Sequence, residues 1–148
     1  MISQKAKYAF KALIFLSGRA EATVSIDDIA QSTGAPRKFL EHILLDLKAG
    51  GMVASRRGRN GGYGLAKPAG SISIGAVLRA IDGPIAPLSC ISVNNYRRCD
   101  DCADEATCVV RPLFIDAYYV LLQVMDATTL ADTLKPDRMR VKHVFSVL

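Results

Sequence analysis

The tetrapeptide Thr33-Gly34-Ala35-Pro36 separates two runs of helical periodicity and so fixes a sharp turn between two helices. Before it, Ser25 precedes Ile26-Asp27-Asp28, a hydroxyl N-cap followed by two acids suited to the positive end of a helix. That helix is short, running from about Ile26 to Ser32. After the turn, Pro36 suits the first position of a new helix. Its apolar stripe is Phe39, Leu40, Ile43, Leu44 and Leu47, and Gly50-Gly51 ends it. Residues 5–18 form a preceding helix with Tyr8, Ala9, Ala12, Leu13 and Leu16 on one face and Gly18 at its end. Helix, short helix, glycine turn and helix together predict a helix-turn-helix.

A hairpin follows directly. Met52–Arg57 reads as extended, Gly58-Arg59-Asn60-Gly61-Gly62 as a turn, and Tyr63–Ala66 as the returning strand. A hairpin at this place makes the motif winged. Pro68 to Ser71 is a loop, and Ser73 caps a fourth helix whose Ile74, Val77, Leu78 and Ile81 share a face until Gly83-Pro84. Residues 84–108 show no periodicity and hold all four cysteines. Pro112 starts a helix reaching about Ala127, with Leu113, Phe114, Ala117, Tyr118, Leu121, Leu122 and Met125 as one stripe. Ile115, Tyr119, Val120 and Val124 cover much of the rest. A helix apolar nearly all round must be buried on several sides, which calls for a partner chain. Thr129 begins a last short helix, Leu130–Leu134.

The expected fold is therefore mainly α with a small β-hairpin wing: a winged helix-turn-helix plus a long dimerisation helix. It divides into a DNA-binding domain over 1–83, a cysteine loop over 84–108, the dimerisation helix and short following helix over 109–134, and a tail over 135–148.

Charge supports a nucleic-acid partner. Residues 1–75 carry eleven Lys and Arg against five acids, whereas residues 76–148 carry eight against nine. The basic excess lies wholly in the half that holds the helix-turn-helix. Lys5, Lys7 and Lys11 break up any secretory signal, and no run of 18 apolar residues exists, so the expected compartment is the cytoplasm. There, cysteines are more often metal-binding or redox-active than structural.

The second helix of such a motif lies in the major groove. Its outward residues are Arg37, Lys38, Glu41 and His42, with Lys48 near its end. Arginine and lysine reach phosphates or guanine edges, and a glutamate can accept from a cytosine amino group. Arg56, Arg57 and Arg59 stand at the wing tip, where arginines suit a narrow minor groove. The competing reading is a winged helix used for protein contacts, with a solvated basic face.

The cysteine spacing is Cys90-x8-Cys99-x2-Cys102-x5-Cys108. Thiolates are soft ligands for zinc or iron–sulfur clusters. Three chemistries fit: a cluster; a four-thiolate zinc site, since Cys99-x2-Cys102 makes half a knuckle; or a metal-free switch closing a Cys99–Cys102 disulfide. Both histidines lie elsewhere, at 42 and 143, leaving Asp104 and Glu105 as the nearby non-cysteine ligands. A small thiol oxidoreductase using Cys99 and Cys102 would need a base and a substrate site that the sequence does not offer.

The segments Lys7-Tyr8-Ala9-Phe10-Lys11-Ala12-Leu13, Phe39-Leu40-Glu41-His42-Ile43-Leu44 and Arg57-Gly58-Arg59-Asn60-Gly61-Gly62-Tyr63-Gly64-Leu65 resemble the Rrf2 family of bacterial regulators. Asp82-Gly83 followed by a cysteine loop extends the likeness over nearly the whole chain. The resemblance implies a homodimer with crossed long helices and a recognition helix beginning near Pro36. It also implies an iron–sulfur cluster, [2Fe-2S] or [4Fe-4S], held by Cys90, Cys102 and Cys108, with Cys99 as an extra. Members that complete the cluster with a histidine place it where this chain has Arg111. Members that use an aspartate of the other subunit place it where this chain has Lys7. Cys99 is the economical fourth ligand.

Overall fold

The computed structural model describes residues 2–19, 23–58 and 61–135. Six helices and one hairpin are built from the signals above. Helix α1 spans Gln4–Ser17, α2 Ile26–Thr33, α3 Arg37–Ala49, α4 Ile74–Asp82, α5 Arg111–Ala127 and α6 Leu130–Thr133. Strands β1 (Val53–Arg56) and β2 (Gly62–Leu65) pair antiparallel, Val53 opposite Leu65 and Arg56 opposite Gly62. Short 3-10 turns occur at Ala69–Ser71, Ser89–Ile91 and Glu105–Thr107. The mainly α winged helix-turn-helix with a long following helix is therefore present.

The turn between α2 and α3 is fixed by backbone conformation. Gly34 takes φ +71°, a left-handed value that a Cβ would oppose, and its N–H donates to Ala30 O at 2.9 Å. The Lys11 ammonium donates to Thr33 O at 3.2 Å, tying the turn to α1. Pro36 falls one residue outside its expected place: it is the N-cap of α3, not its first residue. Its ψ of 132° is extended, while its carbonyl already accepts from Leu40 N at 2.9 Å.

The main core joins α1, α2, α3, α4 and the wing. Ala6, Ala9, Ala12 and Leu13 of α1 are fully buried against Leu40, Ile43, Leu44 and Leu47 of α3 and Val77 of α4. Three small alanines on α1 let the other helices approach closely. Phe39 departs from the expected stripe. It is 36% exposed and meets Tyr8 edge-on, with ring centroids 6.0 Å apart. It sits one position before Leu40, and Leu40 takes the core place.

Two contacts were invisible in the sequence pattern. Val24 pairs with Tyr63 through two backbone hydrogen bonds, Val24 N to Tyr63 O at 2.9 Å and Tyr63 N to Val24 O at 2.8 Å. The wing is thus anchored to the segment before α2. Leu130 is fully buried in the main core, and its N–H donates to Ile72 O at 2.9 Å, so α6 folds back against α1 and the Ala69–Ser71 turn. A capping box, Thr129 with Asp132, starts that helix.

Lys135, Thr129 N–H and the Thr129 hydroxyl hold the Asp132 carboxyl well below the usual carboxylate range. A carboxyl held low in the fold stabilises it above the unfolded carboxylate range and loses that contribution as pH falls through it. We expect the α6 anchor to loosen below about pH 4, and Asp132→Asn to show less acid dependence in this region. Amide exchange at Leu130, followed from pH 7 to pH 3, checks this.

Helix α4 is cross-linked to both α1 and α5 through its last turn. The Ser3 N–H donates to Asp82 Oδ2 at 3.1 Å, and its hydroxyl donates to Asp82 Oδ1, joining the start of α1 to the end of α4. Arg79 pairs with Asp126 of α5. A Cβ at Gly75 would stand 2.1 Å from Asp126 Oδ1, so a larger residue there displaces that carboxylate from its place beside Arg79.

A smaller core of Cys90, Ile91 and Tyr118 seats the cysteine loop on α5, with Leu88, Cys99, Ile115 and Leu122 packed against it. Tyr118 is the one α5 side chain that is buried. Leu113 is 73% exposed, Val120 61% and Val124 57%, so within one chain the apolar helix is largely uncovered. No described helix is long and apolar enough to cross a membrane.

Candidate nucleic-acid interface and cysteine cavity

Helix α3 presents Arg37, Lys38 and His42 to solvent, with Glu41 half-buried beside them. These four were expected on the outward face, and the structure brings them together. Their states differ. Arg37 pairs with Asp27 of α2 and reaches Glu41 Oε1 at 3.5 Å, so its guanidinium braces the two helices of the motif. His42 Nδ1 lies 2.9 Å from Lys38 O. Lys38 has no acidic partner among the described residues, so its charge is open to an incoming anion.

Lys48 was placed with the outward residues, but its ammonium donates to Ser55 Oγ at 2.7 Å and fastens the end of α3 to β1. Arg56 and Arg57 are exposed at the wing, also without an acidic partner among the described residues. Arg59 lies outside the described residues. The Arg37–Asp27 brace was missed because the two positions are joined only by the angle at which α2 and α3 cross.

The four cysteines line one cavity of about 440 Å³ at the start of α5, together with Leu88, Glu105, Val109 and Arg111. All four are free thiols. Cys90 is 5% exposed and the other three are half-buried. Backbone bonds shape the rim. Arg97 N donates to Ser89 O at 3.1 Å, closing the loop between Cys90 and Cys99, and Cys102 N donates to Cys99 O at 3.3 Å. The Arg98 guanidinium donates to the carbonyls of Cys102 and Ala103.

Arg111 provides the positive charge of the cavity. Its guanidinium donates to Glu105 Oε2 at 2.7 Å, its backbone N–H donates to Cys108 Sγ at 3.4 Å, and Glu105 also accepts from the Tyr96 hydroxyl. Burial pushes the Cys90 thiol up, the neighbouring Cys99 thiol pushes it further, and Arg111 opposes both. Burial likewise raises Cys102, Cys108 adds to this, and Arg98 opposes it. The Tyr96 hydroxyl is raised by its hydrogen bond to Glu105. No sequence periodicity could reveal the Tyr96–Glu105–Arg111 chain, because it joins irregular loop to helix.

Among the described residues, no three Cys, His, Asp or Glu side chains converge as one metal ion requires. A four-thiolate zinc site needs every sulfur at ~2.3 Å from a common centre. The four thiols instead line the cavity described above.

Residues 2–136 match the Rrf2 family, described as iron-dependent transcriptional regulators. The chain belongs to the Rrf2 family. This Rrf2 chain is 49% identical over 138 residues to an Rrf2-like helix-turn-helix transcriptional regulator of Rhodobacter capsulatus, covering 90% of this chain and 92% of that one. Among solved structures, CymR, the global cysteine regulator of B. subtilis, matches with TM-score 0.71 and 30% identity, over 90% of this chain and 95% of that one. IscR of T. potens matches with TM-score 0.69 and 27% identity, over 90% and 85%. The Rrf2 chain is accordingly a DNA-binding transcription regulator with a winged helix, and not an enzyme.

Proposed function

We propose that this regulator senses iron, redox or nitric oxide state through an iron–sulfur cluster bound by Cys90, Cys99, Cys102 and Cys108, and that it binds its operator as a homodimer. The observation that carries the reading is the gathering of all four thiols around one cavity at the start of α5. The resemblance to a family with cluster-binding members points the same way. A bound cluster supplies redox activity and lability toward oxidants and nitric oxide.

The chain's own residues do the rest. The Arg111 guanidinium opposes the burial that raises the Cys90 thiol. Cys99 takes the place of the histidine or aspartate found in related members. Tyr118 and Ile91 seat the loop on α5, and α5 reaches the winged domain through Asp126–Arg79 and α4. Order in residues 90–108 thereby bears on the position of α3. The uncovered face of α5, with Leu113, Val120 and Val124, is the surface the second copy covers. A dimer of this kind holds two recognition helices about 34 Å apart, so a small shift weakens both contacts.

Toward DNA, Lys38 and Arg57 meet phosphates, Arg37, Glu41 and His42 stand at the groove, Arg56 lies on the wing, and Arg59 is expected to add a further phosphate contact. Lys38→Ala and Arg59→Ala are each expected to weaken operator binding and to lower the slope of log affinity against log salt by about 1, because one phosphate contact is lost. Fluorescence anisotropy titrations at several salt concentrations check this; an unchanged slope removes the residue from the interface.

The deciding experiment is an absorption spectrum of anaerobically purified protein, with iron, acid-labile sulfide and zinc assayed on the same sample. A visible charge-transfer band with matching iron and sulfide supports the cluster. A colourless protein carrying stoichiometric zinc, or no metal after anaerobic reconstitution, overturns it and leaves the DNA-binding function in place.

A further inference from the structure

The sequence spacing points to Cys99 and Cys102 as the natural disulfide pair, but the fold groups the thiols differently. Cys99 packs onto the small core that contains Cys90, and the Ser89–Arg97 backbone bond brings their two chain segments side by side. The thiol neighbour acting most strongly on Cys90 is Cys99, and the one acting most strongly on Cys102 is Cys108.

We propose that Cys90 and Cys99 form an oxidation site in which hydrogen peroxide closes an intramolecular Cys90–Cys99 disulfide when the cavity holds no cluster. The site shares its cysteines with the cluster reading but does not depend on it. Cys99 is half-buried and lines the cavity, so a small solute reaches it, whereas Cys90 is shielded. The Cys99 sulfur attacks one peroxide oxygen. The O–O bond breaks, the departing oxygen leaves as water with the thiol proton, and Cys99 becomes a sulfenic acid. The Cys90 sulfur then attacks the Cys99 sulfur. The S–S bond forms, the S–O bond breaks, and a second water leaves with the Cys90 proton. Two thiols are oxidised by two electrons and one peroxide is reduced to two waters. The product pins the loop's first cysteine to its second and removes two of the four sulfurs from metal binding.

The test uses cluster-free, full-length protein, reduced and then exposed to hydrogen peroxide in its folded state. Free thiols are alkylated, intact mass is measured, and the chain is cleaved after arginine and before aspartate. Cleavage at Arg97 and Arg98 separates Cys90 from Cys99, and cleavage at Asp100 and Asp101 separates Cys99 from Cys102. The expected result is a loss of about 2 Da on forming one disulfide, two alkylated thiols left of four, and a single cross-linked pair joining Cys90 to Cys99. Cys90→Ser and Cys99→Ser each abolish the link, and Cys102→Ser retains it. A Cys99–Cys102 or Cys102–Cys108 link, an intermolecular link, or four alkylated thiols overturns the proposal. Protein that takes up iron and sulfide yet forms no such link keeps the cluster reading and loses this one; a colourless protein that forms the link does the reverse.

Discussion

Gly62→Ala is expected to detach the wing from the body of the winged domain. A Cβ built on Gly62 stands 2.4 Å from Val24 O and 2.7 Å from Val24 C. These are backbone atoms, so no rotamer change relieves the clash. The Val24 segment must move, and it cannot move without stretching its two hydrogen bonds to Tyr63. Two backbone bonds at ~1 kcal/mol each, with the strain of the displaced segment, make a loss of about 2–4 kcal/mol. The variant loses function as well as stability, because the hairpin carrying Arg56 and Arg57 loses its fixed direction relative to α3 while the helical core keeps its packing. Operator affinity should fall by more than tenfold, an energy of about 1.4 kcal/mol. Denaturant unfolding and anisotropy on the same variant check both parts. Unchanged affinity would mean that the wing acts without its anchor to residue 24.

Cys90→Ser is expected to cost more cluster than any other single cysteine substitution. Cys90 is the buried thiol of the four, held in a packed core with Ile91 and Tyr118. Its sulfur is therefore positioned by side chains that are already in place, whereas Cys99 only packs against the edge of that core and Cys102 and Cys108 sit on irregular backbone that can adjust. A serine there removes the one preset sulfur of the proposed cluster site and places a hydroxyl among apolar atoms, at roughly 1–3 kcal/mol if it finds no partner. Iron and sulfide per chain should drop to near background in Cys90→Ser and only partly in Cys99→Ser. Equal retention in the two variants would show that the preset position of Cys90 does not matter for binding the group.

The helices were legible because their signals are local. Ser25, Ser73 and Thr129 cap helices as their hydroxyls and spacing require, and Gly34 takes the left-handed turn that α2 and α3 need. The grouping of Arg37, Lys38, Glu41 and His42 on one face followed from helical period alone. What periodicity does not encode is where separate elements meet. Lys48 looked like a solvent-facing cation and is bonded to Ser55, because the end of α3 runs into the hairpin. Phe39 looked like core and is displaced by Leu40, since a crossing angle decides which neighbour points inward. The cysteines were recognisable as a set from their loop, yet the Ser89–Arg97 bond that closes the loop between Cys90 and Cys99 was not, because it joins two stretches without periodicity.

The contact between α4 and α5 also bears on how this chain can drift over generations. Gly75, Arg79 and Asp126 occupy one volume: the glycine makes the space, the carboxylate fills it, and the guanidinium holds the carboxylate there. A mutation at any one of them alone leaves either a clash or an unpaired charge. The three positions should therefore be inherited together. Lineages that keep the acid at 126 should keep the glycine, and those that acquire a larger residue at 75 should already have lost the pair, an order of substitution that reconstructed ancestral sequences would record.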